Sequence, residues 1–521
     1  MGFAVLGRNL DINPERVGRP RLDPYKRLLS RFYEQLFLLN ALGQTRGNHA
    51  IQPFELDARK AKVRQFLQNL CYICDFKKGG SACTAIGLEE LDTCYNFCVA
   101  SNSETGKIAA FLTTVLSSLE ALAFPTGAND DDKNSRFFQL CIEFAAERIE
   151  GEKKCLRRGV KDCLSMLKNK PLGFDSEFVE WLEMAMSFDN HFQLCEFAYN
   201  TRHSDQVSEL YDRGMEEEAR GPTGKRSSFF LVRHYIGRLA HHIRAPKQLI
   251  EDTEALSHFL DNHTVYAIDA PSAVPPPIRD SHVNLRGILN RMFRKGDEER
   301  PQVEDGLLHL NKVAEVFGKF LHQYEHFSPE VHAEVQVMEH FHRMQKPFAG
   351  DDRFIACSKP ACLCCEMYFK YHPARVMVSC SHRKIWTNWS PPHLNDFDTK
   401  NPASRQQTDI LNKMTGDLRG QVITHVLQRL PSNRWHPDSI TNITNARCFD
   451  IISSVSLEVS NATTTKLSPI VSLSTPRTRF NNPPEIAIPH TLEGEEDFDV
   501  SDEENGGVSL FDYTPSILET P

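Results

Sequence analysis

Phe354-Ile355-Ala356-Cys357-Ser358-Lys359-Pro360-Ala361-Cys362-Leu363-Cys364-Cys365-Glu366-Met367-Tyr368-Phe369-Lys370-Tyr371, followed by Val376-Met377-Val378-Ser379-Cys380, is the stretch that decides the fold. Phe354 to Cys357 and Val376 to Cys380 are short apolar runs rich in β-formers, and Cys362 to Tyr371 has helical spacing between them. A strand, helix, strand succession of this length implies a crossover with two parallel strands and the helix packed on the sheet. The fold class that follows is α/β or α+β.

Upstream, Ser328-Pro329-Glu330 combines a capping residue with proline at the first turn and predicts a helix over Pro329 to Arg343. Leu307, Leu310, Val313, Ala314, Phe317, Phe320 and Leu321 form one apolar helix face before it. Ala270 to Ile278, with Pro271, Pro275, Pro276 and Pro277, cannot be helical and is expected to be a loop or linker. From about Tyr25 to Leu256 apolar residues recur at helical spacing without a fixed repeat, which predicts a long all-helical region serving as scaffold or protein-binding surface. A last helix is expected over Gln407 to Leu430.

Chemistry concentrates at His332-Ala333-Glu334 and, thirty residues on, at Cys362-Leu363-Cys364-Cys365, both at predicted helix starts. Cysteines three apart in a first turn share a face, where the helix dipole and a metal both favour thiolate. His332, Cys362 and Cys365 would hold a tetrahedral Zn2+ with one position open for water. Glu334, two residues past the histidine, is then placed to move protons. With a fourth ligand such as Cys357 or Cys364, the same set would make a catalytically silent zinc module in an interaction protein, and that alternative stays open at this point.

This wording resembles the signature of the cytidine-deaminase-like superfamily. Val331 to Glu334 with Cys357 to Cys365 is most similar to the fungal branch of the OTT-type deaminase-like family, over about Gly306 to Trp389. The resemblance implies a three-layer α/β domain, Zn2+ on His332, Cys362 and Cys365, Glu334 as proton shuttle, and hydrolytic removal of an amino group from a nucleobase, whether free, in a nucleoside or in a nucleic acid. Two departures stand out. Ala361 separates Pro360 from the first ligand cysteine, and no strand hairpin is evident just before His332, where only Val265 to Ile268 is strand-like.

Other candidates have plainer readings. Cys71, Cys74, Cys94 and Cys98 fall in apolar stretches taken as helical and are expected to pack in the core. Cys364 is assigned to packing as well. Trp386 and Trp389 suit a core more than a stacked base, and Lys359, Arg383 and Lys384 suit solvated surface more than a phosphate site.

Composition narrows the classes. The net charge of −9 over 521 residues owes eight charges to Glu493, Glu495, Glu496, Asp497, Asp499, Asp502, Glu503 and Glu504. A body near −1 lacks the basic field that captures long duplexes. No membrane span and no secretory leader are evident, so cytoplasm or nucleus is expected, where fifteen cysteines do not imply a disulfide framework. The expected organisation is an N-terminal extension over 1–24, a helical region over 25–260, a zinc deaminase-like domain over 261–435 and a disordered acidic tail over 436–521. Expected partners are a nucleobase-containing substrate and a protein on the helical region, with no preference for any oligomeric state.

Overall fold

The computed structural model describes residues 23–47, 49–51, 57–124, 130–168, 176–219, 227–279, 283–378 and 380–429. The extension before residue 23 and the acidic tail lie outside them. Among the described residues are fifteen α-helices and one four-stranded mixed sheet. The chain runs α1 (Pro24–Ala41), β1 (Ala50–Ile51), α2 (Ala58–Cys74), β2 (Thr84–Glu90), β3 (Tyr95–Ser101) and α3 (Thr105–Ala123). Six helices follow: α4 (Asp130–Phe144), α5 (Ala146–Lys168), α6 (Ser176–Ser187), α7 (His191–Thr201), α8 (Asp205–Ala219) and α9 (Ser228–Asp252). The rest comprises β4 (His263–Ala267), α10 (Leu285–Met292), α11 (Arg300–Ala314), α12 (Val316–Glu325), α13 (Ala333–Met344), β5 (Ala356–Cys357), α14 (Leu363–Tyr371), β6 (Cys380–Ser381) and α15 (Pro402–Gln428).

The sheet order is β4-β3-β2-β5, with β3 and β4 parallel and the other pairs antiparallel. Its two faces serve two cores. Ile86, Leu88, Phe97, Val99 and Ala356 point to the side holding Phe66, Leu70, Ile108, Leu112 and Val115 of α2 and α3. The smaller Ala85, Cys98 and Ala100 point to the side holding Val335, Val337, Phe341, Leu363 and Tyr368 of α13 and α14. Small residues on that face let α13 lie close: a Cβ on Gly87 would sit 2.7 Å from Phe341 Cε2 and 2.9 Å from Val337 Cγ1. A third core, made by α5 to α9 with part of α4, contains no strand residues.

The β2–β3 hairpin corrects the all-helical reading of Tyr25 to Leu256: Cys98 is a strand residue, and Cys94 lies in the turn, where Leu91 N–H donates to Cys94 O at 3.0 Å. Both strands are buried on both faces, so their sequences run apolar without the alternation that marks a half-exposed strand. This hairpin is the pair of strands that is missing next to His332, supplied from more than two hundred residues upstream, with β4 added at its edge.

Other expectations shift in detail. The predicted crossover is reduced to one parallel bridge, in which Ile355 N–H donates to Met377 O at 3.1 Å and Met377 N–H to Arg353 O at 2.8 Å; the expected strand from Val376 is not part of the four-stranded sheet, and Cys380–Ser381 pairs instead with β1. The helix face from Leu307 to Leu321 breaks at Glu315, whose φ of 49° lies in the left-handed region, and Asn311 Oδ1 restarts α12 by accepting from Phe317 N–H. Glu330 is extended and pairs with Asn388 to Ser390, so α13 begins after His332 and not at Pro329. The proline run is ordered, with Ala273 bridged to Pro392 and Val274 N–H donating to Ser390 Oγ at 3.0 Å. One helix, α3, is long and apolar enough by length and composition to cross a membrane, but Ile108, Phe111, Leu112, Val115, Leu116 and Leu119 are buried in the fold.

At the junction of α2, α5 and α9 sits a buried charge network. Glu152 accepts from Arg148 Nε at 3.1 Å and Arg238 Nε at 2.8 Å and lies 3.1 Å from His242 Nε2. Arg148 also donates to the carbonyls of Tyr72 and Asp75, fixing the end of α2.

Candidate metal centre

Two helix N-termini converge on the small-residue side of the sheet. His332 is the N-cap of α13 and Cys362 the N-cap of α14. His332 Nδ1 lies 3.7 Å from Cys362 Sγ and 3.4 Å from Cys365 Sγ, and all three donor atoms fall within 4.8 Å of one another. No other group of three such residues of metal-binding type converges among the described residues. Cys362 Sγ also accepts from Cys365 N–H at 3.4 Å, as a capping side chain does.

The extra residue before Cys362 is absorbed by the backbone. Ala361 donates to Cys380 O at 2.9 Å and accepts from His382 N–H at 3.0 Å, so the helix start is pinned to β6. The opposing helix start is pinned from the hairpin. Ala333 N–H donates to Asn102 Oδ1 at 2.8 Å, and Gln336 Nε2 donates to Val331 O at 2.7 Å. His332 makes no cap bond of its own, so the first residue after β3 caps α13 in its place.

The electrostatics separate the two thiols. Burial would raise Cys362, but a hydrogen bond from Cys365 and the charge of His332 bring it down to about 6. Burial would lower His332, yet Cys362, Glu334 and Glu330 push it up to about 10. Burial, the bond to Cys362 and a bond to Glu334 hold the Cys365 thiol well above its ordinary value. His332 and Cys362 thus each favour the charged form of the other, whereas Cys365 is held toward the neutral thiol.

Two sulfurs and one imidazole nitrogen suit a tetrahedral ion. Metal bonds of about 2.3 Å to sulfur and 2.0–2.1 Å to nitrogen at tetrahedral angles require S···N separations of about 3.6 Å, which the two distances of 3.4 and 3.7 Å bracket. The residues present fit a metal. Glu334, buried at 3 % exposure in the first turn of α13, lies against this group through its bond to Cys365. Neither suggested fourth ligand joins: Cys364 is fully buried outside the group, and Cys357 is paired with Cys83.

Several residues at the site carry no local sequence signal. Trp389 is fully buried and its Nε1–H donates to Cys365 Sγ at 3.2 Å. Its ring lies between Phe32 of α1 at 5.6 Å and Tyr368 of α14 at 5.5 Å, so it is a core residue that also touches the donor set. Glu330, whose carboxyl is raised by burial, faces His332 and Glu334. Trp386 is half-buried and packs edge-on against His382 at 5.9 Å. The three candidate phosphate cations are engaged elsewhere: Lys359 donates to Gly79 O, Arg383 lies 3.6 Å from Glu366, and Lys384 is buried. Cys71, Cys74 and Cys98 are fully buried in the core.

Residues 331–393 match the model of the OTT_1508 deaminase-like family (OTT_1508_deam). No curated protein and no solved structure matches the chain. The matched residues contain both helix starts and every donor atom of the cluster. The segment carrying His332, Glu334, Cys362 and Cys365 is thus similar to a deaminase-like family.

Proposed function

We propose that this chain is a zinc-dependent hydrolase that removes an amino group from a nucleobase, free, in a nucleoside or in a nucleic acid. The observation that carries the reading is the convergence of His332 Nδ1, Cys362 Sγ and Cys365 Sγ at two facing helix starts, with the buried Glu334 carboxylate against them. Three protein donors leave a tetrahedral ion one open position, and a carboxylate beside it is what water activation requires.

His332, Cys362 and Cys365 would hold the zinc, which when bound supplies a Lewis acid that makes water acidic near neutral pH. Glu334 takes a proton from the attacking water at a carboxylate oxygen and delivers it to the departing amino nitrogen. Water adds at the ring carbon, the carbon–nitrogen bond breaks, and ammonia leaves with a carbonyl in its place. Asn102 and Gln336 hold the start of α13, and with it both His332 and Glu334, in position. The domain in this reading is assembled from residues 24–101 and 263–428, with the helices from α3 to α9 inserted between β3 and β4. Membership of the fungal branch is part of the proposal and rests on the Cys357 to Cys365 wording.

The silent-module alternative requires a fourth protein ligand, and its two candidates lie outside the donor cluster. The test is Glu334→Gln, assayed for ammonia release over a panel of nucleobases, nucleosides and single-stranded oligonucleotides. Loss of turnover by about 10²-fold or more with zinc retained supports the enzyme. A wild-type protein loaded with zinc and inert on the whole panel refutes it.

A further inference from the structure

A second pair of sulfurs lies outside the metal group. Cys83 Sγ and Cys357 Sγ are 3.5 Å apart. Cys83 immediately precedes β2, and Cys357 is the last residue of β5, whose register sets Cys357 opposite Ala85. Residues two apart on an extended strand share a face, so Cys83, Ala85 and Cys357 lie on one side of the sheet. The adjoining pair fixes their spacing. Ser358 N–H donates to Thr84 O at 2.9 Å, and Thr84 N–H donates to Ser358 Oγ at 3.1 Å.

The two sulfurs are not equivalent. Cys83 Sγ accepts from Ser358 Oγ at 3.6 Å and shares a hydrogen bond with the Cys357 sulfur in which either can donate, and this contact, with burial, raises the Cys357 thiol. Cys83 is 8 % exposed and Cys357 is half-buried, so Cys357 is the more open member of the pair. Neither residue is used by the metal group or by the proton path.

We propose that Cys83 and Cys357 form a dithiol that closes reversibly to a cross-strand disulfide, tying the start of β2 to the strand that leads into Cys362. The oxidant is a low-molecular-weight disulfide such as glutathione disulfide. One protein thiol, on losing its proton, attacks one of the oxidant's sulfurs, the oxidant's S–S bond breaks, and one thiol leaves carrying a proton. The other protein thiol then gives up its proton and displaces the second thiol from the mixed disulfide. Two protein thiols are oxidised and one disulfide is reduced to two thiols. Closure brings the sulfurs from 3.5 Å to about 2.05 Å; because Cys357 faces Ala85 and not Cys83 the pair is diagonal, and closing it takes side-chain rotation together with a small shift of the strand ends.

The inference is independent of any turnover. Metal-loaded full-length protein is titrated with glutathione disulfide, blocked with iodoacetamide, and mapped by fragment-ion mass spectrometry. The expected result is a Cys83–Cys357 bond, loss of about two free thiols per chain, unchanged metal content, and reversal by dithiothreitol. Cys357→Ser is expected to trap glutathione on Cys83, a readout that survives if the pair has no effect on stability. Full alkylation of either thiol after oxidation, or a bond from either to Cys71 or to a metal-binding cysteine, would overturn the proposal.

Discussion

Adding one methyl group at Gly87 tests how closely α13 is pressed on the sheet. An ordinary carbon–carbon contact is about 3.5–4.0 Å, whereas a Cβ at Gly87 would meet Phe341 at 2.7 Å and Val337 at 2.9 Å. The ring and the valine, or the whole helix, must retreat by nearly 1 Å. Overpacking of this kind costs about 1–3 kcal/mol. Replacing glycine inside a strand restores up to about 1 kcal/mol through a less flexible unfolded chain, which leaves a net loss of about 1–2 kcal/mol. With an unfolding entropy of about 2.1 cal/mol/K per residue, a chain of this size shifts by about 1 °C per kcal/mol, so Tm falls by about 1–3 °C in calorimetry. Because His332 stands at the N-terminus of the same helix, metal affinity should fall with it. Combining Gly87→Ala with Phe341→Leu should recover part of the loss, with a coupling of at least about 0.5 kcal/mol in a double-mutant cycle. A Gly87→Ala protein with unchanged or raised Tm and strict additivity with Phe341→Leu would refute the packing argument.

Three further outcomes follow from the contacts. Glu152→Ala leaves Arg148 and Arg238 buried without their carboxylate and should cost about 3–5 kcal/mol in denaturant unfolding; a loss below 1 kcal/mol would contradict the network. Trp389→Phe keeps an aromatic ring in the core but removes the donor to Cys365, so zinc affinity by competition with a chelator should drop about 10–100-fold, on top of the fall in Tm of the zinc-free protein that the smaller ring causes. Glu339 is held down at about 2: burial opposes this, but His372, Arg343 and the Tyr368 hydroxyl outweigh it. Since the folded value lies below the ordinary 4.5, the carboxylate contributes stability above pH 4.5 and loses it as pH falls toward 2. That amounts to about 3 kcal/mol at pH 6, with about 2 kcal/mol gone by pH 3, and Glu339→Gln should flatten this part of the stability profile.

What the sequence makes legible is local. His332, Cys362 and Cys365 are separated by short, ordered spans, and capping positions, helical spacing and the flanking apolar runs place them without knowledge of the rest. The hairpin is illegible for a physical reason. Ala85 to Leu88 and Phe97 to Ala100 are buried on both faces, so each is a short apolar run without alternation, and periodicity cannot separate that from a buried helix. Its pairing with β5 and β4 spans the whole α3 to α9 insertion, a distance over which spacing carries no information. The same holds for Asn102, which caps a helix 231 residues away, and for Trp389, whose composition-level signal is that of any core tryptophan. The break at Glu315 is hidden because its apolar face continues in phase from Leu310 to Phe317 and Phe320.

Metal analysis of purified full-length protein bears most directly on the central claim that one imidazole and two thiolates, brought together from two helix starts, hold a zinc ion. Wild-type protein should carry stoichiometric zinc by plasma mass spectrometry, and Cys362→Ser and His332→Ala should each lose it while Cys364→Ser retains it. Zinc that persists undiminished in the Cys362→Ser Cys365→Ser double variant would contradict the account.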